Sequence, residues 1–262
     1  MNAQKKIVFV GAGRLATNLA TALHARGHRI VQVFSRTAEA ANALAQKVDA
    51  LPCSDLAEIT ADADIYLYAV KDDALQAVVD AVAVRNGLHA HTSGSVPMSI
   101  FAEKRKNYGV FYPFQTFTKE KTVDFGAIPI FVDANNAQSV DNLKNIGTTI
   151  SQKVYNLCDE DRHFLHLAGI FANNFSNSLY VMAAEILAAK QLPFDLLLPL
   201  ISESVEKLHT LAPIDAQTGP AARGDWQTID KQRQLLAAHP DLLQVYNLLT
   251  DSILKQQKDR NR

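Results

Sequence analysis

Two glycines and a small residue stand in the pattern Gly11-Ala12-Gly13-Arg14-Leu15-Ala16, which is GxGxxA. The pattern directly follows the apolar run Ile7 to Val10 and directly precedes an amphipathic stretch. In that context the first glycine allows a tight turn, the second lets a pyrophosphate approach bare backbone, and Ala16 lets the helix pack closely on the strand. The unpaired amides of the helix N-terminus then face the phosphates. Gly11, Ala12, Gly13, Arg14 and Leu15 are therefore read as residues of a dinucleotide site. The end of the second apolar run selects the dinucleotide. A carboxylate there would bind a ribose 2′-hydroxyl, but the chain reads Val33-Phe34-Ser35-Arg36-Thr37. A guanidinium binds a 2′-phosphate that a carboxylate would repel, so Ser35, Arg36 and Thr37 point to NADP rather than NAD.

Ligands of open α/β sheets lie across the carboxyl ends of the strands. Val70 and Lys71 end one strand run, and Thr92, Ser93 and Gly94 end the next, where glycine and hydroxyls can approach a nicotinamide ring. Further on, Pro113 and Gln115 lie in Tyr112-Pro113-Phe114-Gln115-Thr116-Phe117, an apolar surface suited to a substrate. Phe114 and Phe117 serve equally well as a plug at a domain junction. A second group comes from a helical stretch, where at about 100° per residue His166, Asn173 and Asn177 share one face. No charged residue occurs from Phe164 to Ala184, so this polar stripe is expected to be covered by a cleft or a second subunit, not solvated. His166 and Asn173 are candidate catalytic residues, with His91 the alternative proton donor. Asn177, Ser93 and Arg223 are candidate substrate contacts, Arg223 as a fixed donor fork in Thr218-Gly219-Pro220-Ala221-Ala222-Arg223-Gly224-Asp225.

Elements must position these residues. The 262 residues suffice for two modest domains, and 48% hydrophobic against 20% charged residues is ordinary globular composition. From Lys6 to about Asn156, strand runs alternate with amphipathic stretches. They fall at 7–10, 29–35, 64–69, 88–92, 108–112, 128–133 and 153–156, which predicts βαβ units and a parallel sheet. Beyond Asp159 only helical periodicity remains. Phe164, Leu167, Phe171, Phe175, Leu179, Met182 and Ile186 predict one long helix, read as a buried core helix. Helical runs follow at 194–211, 226–239 and 241–257, broken at Pro193, Pro213 and Pro240. The division predicted is 1–157 for a dinucleotide-binding α/β domain and 158–262 for an all-α domain that meets the substrate and dimerises.

A net charge of −1 provides no global field for nucleic acid or an anionic membrane. The Arg223-Gly224-Asp225 triplet would suit adhesion only in a secreted protein, and the start of the chain shows no targeting segment. Cys53 and Cys158 are read as buried thiols, too few for a disulfide framework or a zinc site. A cytoplasmic homodimer with a small-molecule substrate is expected.

In order along the chain, GAGRLA at Gly11, FSR at Phe34, HTSGS at His91, YPFQTF at Tyr112, GIFANNFSNSLY at Gly169 and TGPAARGD at Thr218 resemble a bacterial family of Rossmann-like proteins. Its second domain is known as domain of unknown function 2520. The resemblance implies an NADP-binding domain followed by a helical domain similar to that of 6-phosphogluconate dehydrogenase. It also implies kinship with pyrroline-5-carboxylate reductases and deazaflavin-dependent NADP reductases. The β-hydroxyacid dehydrogenases carry a lysine four residues before an asparagine on the long helix; here Gly169 precedes Asn173 and Ile170 precedes Asn174. That lysine mechanism does not carry over, and His166 is the nearest titratable group. Three functions stay open: an NADPH-dependent reductase of a small C=O or C=N compound with its reaction in an interdomain cleft, a non-catalytic NADP sensor, and a dimeric scaffold.

Overall fold

The computed structural model describes residues 4–118 and 123–260. An eight-stranded sheet is built from β1 (Lys6–Val10), β2 (Arg29–Phe34), β3 (Leu51–Cys53), β4 (Ile65–Tyr68), β5 (Leu88–His91), β6 (Asn107–Pro113), β7 (Ile130–Ala134) and β8 (Val154–Asn156), in the order β3-β2-β1-β4-β5-β6-β7-β8. The helices of this part are α1 (Arg14–Ala25), α2 (Ala38–Lys47), α3 (Asp72–Ala81) and α4 (Ala137–Ile150), and α5 (Asp159–Gly169) follows β8. Strand order reverses between β1 and β4, and the ligand crevice of such sheets opens at that point.

The apolar strands are buried on both faces. Ile7, Phe9, Val33 and Leu67 belong to one layer of core, and Val8, Val10, Tyr66 and Tyr68 to the other. This accounts for their near-continuous hydrophobic runs. Gly27, with φ +87°, ends α1 in the left-handed region that a glycine C-cap requires.

Two details depart from the sequence expectation. β3 has no counterpart among the expected strands, because its three residues include Pro52 and an exposed Leu51, the composition of a short edge strand rather than a core run. The β6–β7 pair is antiparallel within an otherwise parallel sheet. Between the described parts of that connection only a single 3₁₀ turn, Phe125–Ala127, is present. A parallel return needs a full crossover helix.

The chain forms two compact units, Met1–Ile170 and Phe171–Arg262. Strand patterning ends at Asn156, yet α5 belongs to the first unit, where Asp159 accepts the Met98 N–H and the buried Arg162 donates to the Val96 carbonyl. The second unit contains a π-helical segment (Ile170–Phe175, its first residue still in the first unit), α6 (Ser176–Ala188), α7 (Leu198–Lys207), α8 (Pro213–Ala216), α9 (Pro220–Arg223), α10 (Trp226–Leu235) and α11 (Pro240–Arg260). The expected long helix from Phe164 to Ile186 is thus interrupted by π geometry. It is not a core helix of the single chain either, since Phe164, Phe171 and Phe175 are half or more exposed. No helix among the described residues is long and apolar enough to cross a membrane.

Candidate active site

At the carboxyl end of β1 the chain turns through Gly11, whose φ is +123° and whose N–H donates to the Phe34 carbonyl at 2.9 Å. A Cβ at Gly11 would collide with the Ala69 carbonyl, so only glycine fits between the ends of β2 and β4. Gly13 is the N-cap of α1 and carries no capping side chain; a Cβ placed there would meet no atom within 4 Å. The first-turn amides of α1 therefore face open space, and the first turn holds no acidic residue that would compete for them. Ala16 is fully buried, where a larger side chain would push the helix off the sheet.

A cleft of about 460 Å³ opens here, lined by Gly11, Ala12, Gly13, Ser35, Arg36, Val70 and Lys71 among others. Ser35 is held by its N–H on the Cys53 carbonyl at 3.1 Å, and Arg36 is exposed beside it. Thr37 is the N-cap of α2 without a side-chain cap bond, which leaves its hydroxyl available. Bare glycine backbone, uncapped amides and an exposed guanidinium after β2 fit the pyrophosphate and 2′-phosphate of NADP. Arg14 is exposed on the first turn of α1, and Leu15 is half-buried against the core instead of lining the cleft.

The loop after β5 is folded tightly. Thr92 is tied by its N–H and hydroxyl to the Tyr68 carbonyl at 3.1 and 3.3 Å. The Ser93 hydroxyl accepts the N–H groups of Ser95 and Val96, each at 3.1 Å, and the Ser95 hydroxyl donates to Asp72 at the start of α3. Ser93 thus shapes the loop. His91 is sealed beneath it with no exposed surface, its ring stacked on Phe101 at 5.8 Å. The Ser93 N–H donates to its Nδ1 at 3.2 Å, which puts the proton on Nε2. Burial, reinforced by the nearby Arg162 charge, pushes the His91 imidazole down to about 4, so it stays neutral near pH 7.

α5 is clamped onto this loop by its Asp159 and Arg162 side chains, which bond to the backbone of Met98 and Val96. Asp159, Glu160 and Asp161 crowd the first turn, where the helix dipole favours carboxylates. Asp159 accepts the Met98 N–H at 2.9 Å and pairs with Arg162 at 2.5 Å. Arg162 is fully buried and also donates to the Val96 carbonyl at 2.5 Å, while its Nε has no partner among the described residues. An uncompensated buried guanidinium would be costly, so Asp159 within α5 compensates the Arg162 charge while the bond to the Val96 carbonyl ties the helix to the loop. Cys158, the N-cap of α5, is exposed and not buried as expected; its thiol approaches Asp161 at 3.3 Å.

One turn beyond Arg162, His166 meets the carboxyl end of β6. Its Nδ1 lies 2.9 Å from the Tyr112 hydroxyl, with the two rings edge to face at 6.1 Å. A Cβ on Gly94 would fall 2.5 Å from His166 Nδ1 and 2.8 Å from Tyr112 Cζ, so both rings rest directly on that glycine. Burial pushes the Tyr112 phenol up to about 12. Gly169 faces Phe114, and a Cβ would lie 2.8 Å from its ring. The position matching the lysine of β-hydroxyacid dehydrogenases therefore has no room for a side chain. Pro113 is buried at the end of β6, and Gln115 is exposed with its carbonyl oxygen turned back to the Thr116 N–H.

His166, Gly94 and the end of β6 thus come together, whereas Asn173 and Asn177 belong to the other unit and are exposed. The π segment breaks the 100° step on which their alignment with His166 rests. Arg223 is exposed at the last residue of the one-turn α9, followed by Gly224 in the left-handed region and by Asp225, which caps α10. Tyr112, Asp159 and Arg162 also adjoin His166 or the loop after β5, and no motif in the sequence marks them as site residues. Tyr112 stands at a strand end in a motif whose apolar surface is the evident signal. Asp159 and Arg162 form an ordinary i, i+3 pair whose burial no sequence spacing announces. Among the described residues no group of three His, Cys, Asp or Glu side chains could hold a metal ion.

Residues 6–92 match the family model described as NADP oxidoreductase, coenzyme F420-dependent, and residues 128–253 match the domain of unknown function DUF2520. Among solved structures, a candidate NADP oxidoreductase from Bacteroides fragilis is 45% identical with a TM-score of 0.92, covering 96% of this chain and 98% of that one. A reductive aminase from Aspergillus terreus, in complex with a reduced cofactor, cyclohexanone and allyl amine, is 17% identical with a TM-score of 0.70, covering 98% and 95%. The 1-pyrroline-5-carboxylate reductase of Streptococcus pyogenes is 11% identical with a TM-score of 0.68, covering 97% and 99%. The last two likenesses show the fold. No curated protein matches the chain by sequence.

Proposed function

Since the chain belongs to the NADP oxidoreductase family that pairs a dinucleotide-binding domain with a DUF2520 domain, we propose that it reduces a small C=O or C=N compound with NADPH. The observation that carries the reading is the uncapped Gly11–Gly13 turn with Arg36 at the end of the neighbouring strand. NADPH, when bound, supplies the hydride for the substrate carbon. Gly11, Ala12, Gly13 and the first turn of α1 hold the pyrophosphate, and Ser35, Arg36 and Thr37 hold the 2′-phosphate. Val70, Lys71, Thr92, Ser93 and Gly94 border the nicotinamide. His166 supplies the proton that the substrate heteroatom takes up: its imidazolium gives one proton and returns as neutral imidazole. His91, sealed and neutral, is the weaker donor. Pro113, Gln115, Asn173, Asn177 and Arg223 remain candidates for substrate contact.

The protein works as a homodimer in this reading. Eighteen of the twenty large hydrophobic side chains exposed among the described residues lie beyond Asp159, including Leu200 at 65% and Leu248 at 69% exposure. That is more apolar surface than a soluble monomer normally shows water. The expected compartment is the cytoplasm, which suits two free thiols.

A panel of small keto acids, ketones and cyclic imines with NADPH, followed by loss of absorbance at the reduced nicotinamide band, tests the proposal. Turnover of one member, reduced roughly 10²- to 10⁴-fold in His166→Gln with NADPH affinity unchanged, is the expected result. NADPH binding without turnover of any member would instead support a sensor.

A further inference from the structure

We infer that Tyr112 is a positioning residue that keeps a hydrogen on Nε2 of His166, so that this imidazole always presents a donor, never a lone pair, to what binds before it. The inference rests on His166 lying in the proposed site and deepens that reading.

The geometry has three parts. Among the described residues His166 Nδ1 has one partner, the Tyr112 hydroxyl at 2.9 Å, and Nε2 has none and is not sealed from solvent. The hydroxyl in turn has no described partner but this nitrogen, in a side chain almost wholly buried. Neither ring can swing away on the Gly94 side, because the glycine backbone is already in contact with both.

A hydroxyl differs from a carboxylate in this position. A carboxylate only accepts, which would fix the proton on Nδ1 and leave Nε2 bare, the arrangement of a general base. A phenol both donates and accepts. When His166 is neutral, the buried phenol hydrogen has no other acceptor among the described residues, so it points to Nδ1 and the imidazole proton sits on Nε2. When His166 is protonated, Nδ1–H donates to the phenol oxygen and Nε2 again carries hydrogen. The phenol keeps its own proton throughout, since burial outweighs the nearby Arg162 charge, which favours ionisation, and Asp72 opposes it. The other charged group on α5 near this pair, Asp159, is neutralised by Arg162.

The consequence is a choice of substrate class. A donor at Nε2 fits a heteroatom with a free lone pair, meaning a carbonyl oxygen or the nitrogen of a neutral imine. A pre-formed iminium ion has no lone pair to receive the bond, and it would meet the positive end of a donor.

The test is ¹⁵N-detected NMR of histidine-labelled full-length protein without cofactor, at a pH above the imidazole titration, with His166→Gln assigning the signal. The expected spectrum shows His166 with a protonated Nε2 and a bare, hydrogen-bonded Nδ1. Tyr112→Phe should convert it to a mixture of tautomers, lower kcat more than tenfold on a ketone or imine, and leave the Kd for NADPH within twofold. A wild-type signal with the proton on Nδ1, or an unchanged tautomer in Tyr112→Phe, would overturn the inference. Because the spectrum needs no substrate, this failure is distinct from failure of the reductase reading, which would appear as an idle enzyme with the expected tautomer.

Discussion

Replacing Gly94 by alanine adds one methyl group where three elements meet. Its carbon would lie 2.5 Å from His166 Nδ1, 2.8 Å from His166 Cγ and 2.8 Å from Tyr112 Cζ, against an ordinary contact of about 3.5–4 Å. One ring must retreat by about 1 Å. Tyr112 sits at the end of a buried strand, so the half-buried His166 gives way, and its 2.9 Å hydrogen bond stretches past the limit of a useful one. Overpacking of this kind costs about 1–3 kcal/mol, which for a chain of this size lowers Tm by roughly 2–12 °C. The same methyl at Gly13 meets nothing within 4 Å, and the backbone there, φ −75° and ψ −171°, suits alanine. Gly13→Ala should therefore stay within about 1 kcal/mol of the parent while losing NADPH affinity, because the methyl occupies the pyrophosphate approach. Differential scanning calorimetry of both variants, paired with NADPH titration, reads the contrast. An unchanged Tm in Gly94→Ala, or equal destabilisation of the two, would refute the packing argument.

Two further outcomes follow from burial and from the apolar helices. His89 and His91 are held at about 3 and about 4, chiefly by burial, whereas the unfolded chain titrates near 6.5. The unfolded state binds more protons between these values, so their contribution is complete above pH 6.5 and fades as pH falls toward 4 and 3. Chemical denaturation should show stability lower at pH 5 than at pH 7 by about 2–4 kcal/mol, and a flat profile would exclude neutral burial of both rings. For assembly, light scattering at micromolar concentration should give twice the 28.8 kDa chain mass, and Leu200→Glu should shift it toward monomer; a monomeric parent would remove the dimer.

How much of this was legible in the sequence depends on whether a feature is local. The Gly11–Ala16 fingerprint and the strand runs are contiguous, and each expected run appears as a strand of the sheet. β3 escapes because three residues with a proline carry no alternation, and the antiparallel turn of β7 depends on what connects it to β6. The helical stripe of His166, Asn173 and Asn177 assumes one unbroken helix, and a π segment is invisible to a fixed 3.6-residue period. His166 is found by type and place, but its partner is not, since Tyr112 is 54 residues away and the bonds of Asp159 to Met98 and of Arg162 to Val96 that tie α5 down are equally remote in sequence. Exposed apolar helices read as core for a related reason: periodicity shows that a face must be covered, not by what.

In the proposed function the Gly11–Gly13 turn and Arg36 together hold NADPH. Calorimetric titration of the parent protein and of Arg36→Ala with NADPH and with NADH measures it directly. A hydrogen-bonded charge pair is worth about 1.5–3 kcal/mol, so NADPH should bind the parent at least tenfold more tightly than NADH, and Arg36→Ala should erase that preference while leaving NADH affinity unchanged. Equal affinity of the parent for both dinucleotides, or an equal loss for both in the variant, would contradict it.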